Sequence, residues 1–450
     1  MIFRKKTKQQ AGFSLCGLLL LTLSFSDLST AATADDIQSI GESKTALAEG
    51  LIIQKIGLTQ ALAKALEQNP RLTQYPMYLR QYDLKKLIAS RKPAWELSVA
   101  AENILGSGEF SDIDSAEISV MVQRLFESAD KAEKRTQLVD SELQLEQQSY
   151  QSLKLEVLAD TRRNYFQLQK LQLLEAWAKD NLEQQLAALK TVQRLAKAGA
   201  INQADKHKMR LQVEASQSLK KNIQAELSVQ SMRLQGLWSG VDTSETELAD
   251  GGQWRVELLA ELPKAPSKAD ILSGLDSAPD YLVASAKSRV AQSAWQLSNS
   301  LQQLDFNVGV GLRRFQSSRD QALLFEFSIP LQQAQRAKAD IKLSHSDWQI
   351  KQAEQAQLRW QLQQRLLLLR QSLLNDQAQM SRIKTQLLPE AQNYQSAAKL
   401  AYEAGQYTLL QWLDAQVEVA DIKRQLIEIQ GDYWNKWIEL ERLIGRSTAN

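Results

Sequence analysis

The sequence predicts a mainly helical chain with a small β part, built from two copies of one structural unit. Two observations carry this prediction. Short motifs recur about 209 residues apart in the first part of the chain and about 206 residues apart in the rest. Each copy also holds two short alternating segments, followed by long stretches of helical composition. A repeat of this kind indicates that one unit was duplicated and that its copies pack side by side.

The matched motifs lie at equivalent places in each copy. They are Leu66 to Pro70 with Leu275 to Pro279, Ala198-Gly199-Ala200 with Ala404-Gly405-Gln406, Asp205 with the pair Leu413-Asp414, and Leu237 to Gly240 with Leu443 to Gly445. They predict a first repeat at 35–240, a segment between the repeats at 241–270 and a second repeat at 271–450.

Four segments of about ten residues alternate between apolar and polar side chains. They are residues 95–104, 116–126, 304–313 and 322–331. In the first, Trp95, Leu97 and Val99 alternate with Glu96 and Ser98. This length, with one apolar and one polar face, is typical of strands that cross a bilayer in a β-barrel. Trp95 is predicted to lie at the membrane interface, and an ordinary strand residue is the alternative.

The number of strands restricts how they can be used. A soluble sheet with one buried face is the alternative for these segments. If the strands cross a membrane, four of them do not close a barrel, because the smallest barrels have about eight. An open sheet would leave unpaired backbone groups in lipid. Several chains would then share one barrel, and three chains would supply twelve strands.

Residues 1–34 are predicted to form a secretory signal peptide. A basic start precedes an apolar stretch that is too short to span a bilayer, and cleavage is expected near Ala34 and Asp35, with 29–31 as an alternative site. Cys16 is the only cysteine, and its surroundings are a poor lipoprotein signal. The mature chain is therefore expected to have no disulfide and no thiolate metal ligand.

Charge and hydropathy exclude further classes. The net charge is +2, and removal of the signal leaves 50 basic and 51 acidic residues, so we expect no nucleic-acid partner. No other segment reaches about 18 apolar residues, the length of a membrane-spanning helix. An exported chain that still crosses a membrane is then expected to do so as a barrel.

The long helices are the second informative feature. They are predicted at 131–198, 203–240, 336–404 and 409–445. The first has neither proline nor glycine and would be about 100 Å long. The second copy repeats it, with Pro389 near the far end and a coiled-coil seam at Leu362, Leu366, Leu369 and Leu373. A rod-like coiled coil and the wall of a tube made of helical hairpins are both consistent with this pattern.

Gly199 and Gly405 interrupt the helical pattern, which resumes at about Gln203 and Leu409. A glycine past one helix end followed by a new helix predicts a hairpin tip, and a C-cap glycine without a partner is the alternative. Asp205 and Asp414 are also consistent with simple helix N-terminal charges.

These residues together resemble the TolC family of outer-membrane efflux proteins, over essentially the whole mature chain. The resemblance rests on Leu58 to Leu62 with Asn69-Pro70, on the tips at 198–205 and 402–405, and on the repeat endings at Gly240 and Gly445. Residues 102–110 (ENILGSGEF) and 237–240 (LWSG) are similar to the cobalt–zinc–cadmium branch of the family.

The resemblance implies a homotrimer in which a twelve-stranded β-barrel in outer-membrane lipid continues into a long periplasmic α-helical barrel. It implies external loops at 105–115 and 314–321, and a belt around the helices from 35–56 and 241–270. The implied partners are a periplasmic adaptor protein and an inner-membrane RND-type transporter. The implied adaptor contacts are Ala198, Gly199, Ala200, Ala404, Gly405 and Gln406.

The chain departs from the family pattern at three places. The branch has a Gly-Gly-Lys type turn after the second strand, where this chain has Glu127 to Lys131, and an Asn-Gln-Gly motif after the fourth, where it has Gln333 to Arg336. Some members narrow the tunnel with two aspartates on the second tip helix. Here Gln411 occupies the first position and only Asp414 matches, so the resemblance implies a weaker charged constriction.

No grouping of residues predicts catalysis. The only histidines, His207 and His345, are far apart in sequence, so we expect ordinary helix residues, no resident metal, no cofactor and no enzyme. The expected function is a passive exit duct for divalent heavy-metal ions in a tripartite efflux pump. Drug efflux or type I protein secretion through the same channel is one alternative. A periplasmic coiled-coil adaptor or scaffold is an alternative of another class.

Overall fold

The computed structural model describes residues 54–199, 202–239, 254–259 and 261–445. All of them belong to one of the two units into which the chain divides, residues 52–450, and the other unit, residues 1–51, lies outside the described ranges. The predicted signal peptide with Ala34 and Asp35, as well as Ala200 and Gly240, also lies outside the described residues.

The described chain is mainly helical with few strands, as predicted. The first copy contains β1 (Gln54–Ile56), α1 (Leu58–Gln68), α2 (Pro70–Thr73), α3 (Tyr75–Ala89), β2 (Trp95–Glu102), β3 (Glu117–Phe126), α4 (Lys131–Lys197) and α5 (Gln203–Gln235). Between the copies are β4 (Trp254–Val256) and α6 (Lys268–Ser273). The second copy contains α7 (Pro279–Ser300), β5 (Phe306–Phe315), β6 (Gln321–Ser328), α8 (Gln333–Arg382), a π-helical turn (Ile383–Leu387), α9 (Leu388–Glu403) and α10 (Leu409–Ile444).

Several boundaries differ from those predicted by a few residues, and two of the differences have a clear physical reason. Helix α5 ends at Gln235 rather than Gly240, because the backbone tightens into i→i+3 hydrogen bonds at Leu237 and Trp238. The buried Trp238 ring then packs edge-on against Trp254 of β4. Strand β6 ends at Ser328 rather than at residue 331, because Pro330 has no backbone N–H to donate to a neighbouring strand.

The four longer strands form one antiparallel sheet in the order β2-β3-β5-β6. Each hairpin comes from one copy, and β3 joins β5 from Glu117 opposite Phe315 to Phe126 opposite Phe306. The duplication is therefore joined edge to edge through one full strand pair. Within the described residues, the outer edges of β2 and β6 carry no strand partner.

One face of this sheet is apolar and open to the surroundings. Leu97, Leu323 and Phe325 are 66%, 68% and 79% exposed. The opposite face is polar: Arg313 contacts Glu102 at 3.0 Å and Glu117 at 2.9 Å, and it donates to Ser119. An exposed apolar face of this size marks a surface that is covered by another apolar phase or partner.

A buried ion pair lies at the junction between the sheet and the long helices. Lys131, the first residue of α4, is 2% exposed and donates to the Asp305 carboxylate at 2.6 Å and to the Gln303 carbonyl at 2.9 Å. The same carboxylate accepts hydrogen bonds from the Ser128 backbone N–H and the Gln333 amide. These residues, which we call the junction cluster, tie the starts of α4, β5 and α8 to each other.

The turn from β3 to α4, where the chain departs from the family pattern, has a backbone geometry that favours glycine. Ala129 and Asp130 have φ values of 56° and 52°, in the left-handed region. Glycine adopts this region without a Cβ penalty, so the two residues stand where a Gly-Gly turn would fit without strain. Ala129 and Asp130 therefore occupy a turn that is strained for residues with a Cβ atom.

The middle of α4 is the main packing centre. Tyr165, which is fully buried there, donates its hydroxyl to the Glu257 carbonyl at 3.0 Å. Burial raises the pKa of Tyr165 to about 12, so the hydroxyl remains a donor at neutral pH. Strand β1 pairs in parallel with β4 beside it, which places the described parts of the predicted belt against α4. In the described ranges, no helix has the length and apolarity that membrane crossing requires.

We predict that Ala129→Gly stabilises the folded protein by about 1 kcal/mol, because it removes the Cβ penalty of a left-handed residue. The measurement is thermal unfolding of the purified protein in detergent, followed by circular dichroism. Ala132→Gly, at the second residue of the helix, is the matched control and should destabilise by up to about 1 kcal/mol. If Ala129→Gly and Ala132→Gly destabilise the protein equally, the left-handed conformation of Ala129 is not strained.

We predict that Asp305→Asn destabilises the protein by about 3 kcal/mol, because it leaves the buried Lys131 ammonium without its counter-charge. The double variant with Lys131→Met should recover most of this loss, since no buried charge remains. Lys86→Met, at an exposed pair with Asp140, is the control and should cost less than about 1 kcal/mol. If Asp305→Asn and Lys86→Met lower the free energy of unfolding equally in chemical unfolding, burial of the Lys131–Asp305 pair has no special role.

Candidate functional site

The first hairpin tip lies between α4 and α5. Gly199, with φ +74°, follows the end of α4, and a Cβ placed there would meet no atom within 4 Å. The Asn202 side chain caps α5 by accepting a hydrogen bond from the Asp205 backbone N–H at 2.8 Å. Ala198 and Gly199 are exposed. The backbone conformation, rather than packing, is therefore what favours glycine at this tip.

The second tip repeats this geometry between α9 and α10. Gly405 also has φ +74° with open space at its Cβ position. The backbone N–H groups of Gln406 and Tyr407 both donate to the Ala401 carbonyl, which closes the end of α9. Ala404, Gly405 and Gln406 are exposed. The two predicted tips thus have the same left-handed turn.

Residue Gln411, predicted near a tunnel constriction, has a local structural task. Its side-chain oxygen accepts hydrogen bonds from the Thr408 backbone at 2.8 Å and hydroxyl at 3.0 Å, which forms a capping box for α10. Asp414 follows one turn later and is exposed. Glu418 is also exposed at the i+4 position, whereas Asp421 at i+7 lies 3.7 Å from Arg424, so the acidic character of this face near the tip comes from Asp414 and Glu418.

Trp412 holds the two tips together, a role that was not predicted from the sequence. It is 9% exposed, and its ring stacks on Tyr402 at 5.2 Å. One apolar cluster joins it to Val192, Met209 and Val213 of the first hairpin. The spacing of Leu409, Trp412 and Leu413 marks this inward face. The predicted tip residues are therefore brought to one end of the molecule by a shared core.

Further along, α10 is fastened to α4 by polar contacts. The Trp177 indole donates to the Ala420 carbonyl at 2.8 Å, and Lys423 lies 3.8 Å from Asp180. A buried ion pair between Arg162 and Glu441, at 2.6 Å, lies deeper along the same helix pair. The long helices are thus joined at several levels.

A charged cluster at the level of the belt joins three long helices. The Glu439 carboxylate of α10 accepts hydrogen bonds from Arg365 of α8 at 2.7 Å, and from Arg163 of α4 and Arg442 at 3.2 Å each. Burial by itself would raise the pKa of Glu439, but the Arg442 hydrogen bond and the charges of Arg442, Arg365 and Arg163 hold this pKa below its ordinary value. The carboxylate is therefore charged at neutral pH.

The histidines lie in different surroundings. His207 is exposed on α5, whereas His345 of α8 packs against Trp295 at 5.2 Å and Trp348 at 5.8 Å. Across the described ranges, no group of three or more His, Cys, Asp or Glu residues is arranged to hold a metal ion.

The second copy of the chain is similar to a known protein family. Residues 273–446 match the family model described as outer membrane efflux protein. The predicted resemblance to the TolC family and its cobalt–zinc–cadmium branch is confirmed by a relative, the cobalt-zinc-cadmium resistance protein CzcC of Cupriavidus metallidurans, which is 26% identical over 256 residues. That match spans 55% of this chain and 58% of the relative.

Solved structures show the same fold over most of the chain. The outer-membrane channel OprN has a TM-score of 0.72 at 16% identity, covering 87% of this chain and 90% of its own. CusC has a TM-score of 0.70 at 15% identity, covering 87% and 92%. The outer membrane protein VceC of Vibrio cholerae has 0.70 at 15%, covering 86% and 96%. The relatives are channel and resistance proteins rather than enzymes.

We predict that Glu439→Gln destabilises the protein by about 2 kcal/mol at pH 7, because three arginines lose a charged acceptor. The pKa of Glu439 is lower in the folded protein than its unfolded value near 4.5, so its charge stabilises the folded state fully above that pH. This stabilisation is lost as the pH falls through the folded-state pKa. The variant and the wild type should therefore differ less in thermal unfolding at pH 3 than at pH 7. Glu428→Gln, at an exposed pair with Arg424, should have little effect at either pH. If the unfolding temperatures of the wild type and Glu439→Gln differ equally at pH 7 and at pH 3, the Glu439 charge does not have this role.

Proposed function

We propose that the chain is one subunit of a homotrimeric outer-membrane channel, the passive exit duct of a tripartite efflux pump for divalent heavy-metal ions. The shared barrel crosses the outer membrane, and the helical hairpins line a tunnel in the periplasm. An inner-membrane RND-type transporter supplies the energy, and a periplasmic adaptor connects it to the hairpin tips.

The open sheet carries this proposal. Its apolar face is exposed, its two outer edges carry no partner within the described residues, and its strands lead directly into helices as long as α4, with 67 residues. In lipid, such a sheet is stable only if its edges are paired in a closed barrel. Copies of the chain placed edge to edge satisfy this requirement. This geometry, with the likeness in fold, favours the channel over an adaptor or scaffold.

Apolar stripes on the helices support contacts between copies. On α3, Met77, Leu84 and Ile88 are 72%, 61% and 62% exposed and share one face by their i, i+7, i+11 spacing. On α8, Leu343 and Ile350 are 71% and 51% exposed, also seven residues apart. Two different surfaces of one subunit that contact each other around a ring form a closed heterologous assembly. The number three comes from the family resemblance.

The exposed tips support docking of an adaptor. Ala198, Gly199, Ala404 and Gly405 present small side chains and backbone at one end of the molecule, and Gln406 is exposed beside them. Ala200 belongs to the same predicted contact set. Small residues permit close approach of another backbone. The shared core around Trp412 holds both tips in a fixed relation, so one adaptor surface can engage both.

A metal cargo is supported by charge and by resemblance. Asp414 and Glu418 give the α10 face near the tip a negative field, which would raise the local concentration of cations. Weak attraction without tight coordination is compatible with transit. Gln411 adds no charge, so Asp414 would form the constriction alone. The relative CzcC is named for resistance to cobalt, zinc and cadmium.

We predict that a strain lacking this chain becomes sensitive to cobalt, zinc or cadmium, but not to dyes and detergents, in growth-inhibition assays. Wild-type protein should restore tolerance. Gly405→Pro should not, although it still reaches the outer membrane, because proline excludes the observed φ of +74° and removes the N–H that donates to Tyr402.

Gly405→Ala is the control, since its Cβ meets open space and the left-handed turn costs only about 1 kcal/mol. It should restore tolerance almost fully. Sensitivity to dyes and detergents alone would move the channel to drug efflux. Full tolerance and normal adaptor crosslinking with Gly405→Pro would show that the tip is not the docking surface.

A further inference from the structure

An arginine interrupts the apolar face of the sheet at its helix-proximal end. Arg124 of β3 alternates in register with Val122 and Phe126, so it lies on the apolar side. It is paired across the sheet with Trp95 on one side and Val308 on the other, and Val308 is paired with Phe327. A charged residue is thus surrounded by aromatic and aliphatic side chains at the level where the strands meet the helices.

The Arg124 side chain is held in one orientation. Its Nε donates to the Pro93 carbonyl at 3.0 Å, and its guanidinium lies 5.2 Å from the Trp95 ring and 5.8 Å from the Phe126 ring. Among the described residues, no carboxylate forms an ion pair with it within 4 Å. The two terminal nitrogens therefore keep donors for a group outside the chain.

A cavity of about 330 Å³ opens beside this arginine. Lys92, Pro93, Arg124 and Phe126 form one side of it, and Lys92 is exposed. The helix side includes Glu127, whose carboxylate is neutralised by two hydrogen bonds from Arg135 at 2.6 and 2.8 Å, and the acidic residues Asp130 and Glu133. The positive charge is thus concentrated on the strand side, next to the apolar face.

The surroundings select the class of ligand. Guanidinium and ammonium groups prefer phosphate oxygens, and a guanidinium can bind phosphate with two parallel hydrogen bonds. On the same face, two and four residues along β2 from Trp95, Leu97 and Val99 are 66% and 67% accessible and offer contact for acyl chains. A free anion would use only the charges, whereas a phospholipid would use both surfaces.

We propose that Arg124, Lys92 and Trp95 form a binding site for the phosphate of a phospholipid headgroup, one per subunit, at the helix-proximal boundary of the barrel. This rests on the proposed function, because the apolar face must be in lipid. The Trp95 ring would lie at the interface level, as predicted from the sequence, with the phosphate on its Arg124 side. The lipid would fix the depth of the barrel in the membrane.

The test is native mass spectrometry of the delipidated full-length trimer with added phosphatidylglycerol. The wild type should retain three lipid molecules per trimer, and Arg124→Gln should bind them at least about tenfold more weakly. Arg124→Lys should keep an intermediate affinity, because it keeps the charge and loses the bidentate geometry. Arg314→Gln is the matched control, since Arg314 lies exposed on the same face at the opposite end of the sheet and outside the cavity.

Equal lipid retention by the wild type and Arg124→Gln would overturn the proposal, as would displacement of the lipid by millimolar inorganic phosphate alone. Circular dichroism and the trimer mass confirm that each variant is folded. Membrane fractionation tests the proposed function separately: a wild-type chain absent from the outer membrane contradicts the channel, whereas a membrane-bound trimer without lipid preference contradicts only this site.

Discussion

The junction cluster around Lys131 and Asp305 is the contact on which the rest of the structure depends. A buried ammonium is tolerated only with a counter-charge and further acceptors, and here both come from the segment that precedes β5. The pair therefore specifies which strand lies next to the start of α4. Because Gln333 joins the same carboxylate, the start of α8 is fixed as well.

From this cluster the architecture extends in two directions. Toward the sheet, the β3–β5 pairing continues for ten residues and keeps the apolar side chains of both copies on one face. Toward the tips, α4 and α8 leave the cluster in fixed positions and meet α10 at Glu439. A change of one residue in the strand register would invert the sheet faces, so the ion pair also protects the separation of apolar and polar sides.

The sequence predicted what depends on periodicity and failed where a residue has an unusual environment. Alternation located the strands, and isolated glycines located the tips, because both are local properties. Lys131 looked like an ordinary helix residue, and its burial follows only from pairing with a carboxylate about 170 residues away. The sequence placed Arg124 in a strand but did not predict its contacts, because they too depend on the tertiary structure. Trp412 was missed because its core is formed by another hairpin.

The two copies differ in ways that bear on movement at the tips. Helix α4 is continuous, whereas its counterpart has a π-helical turn at 383–387, where Leu388 donates to Ile383, just before Pro389. The wider turn accommodates a proline that has no N–H to donate. Beyond it, Trp412 is inserted into the first hairpin, and its withdrawal would cost about 3 kcal/mol of apolar burial. Sliding of the second tip against the first within one subunit is therefore opposed. In the proposed trimer, a displacement between subunits would break none of these contacts, so opening of the proposed tunnel would move both tips of a subunit together.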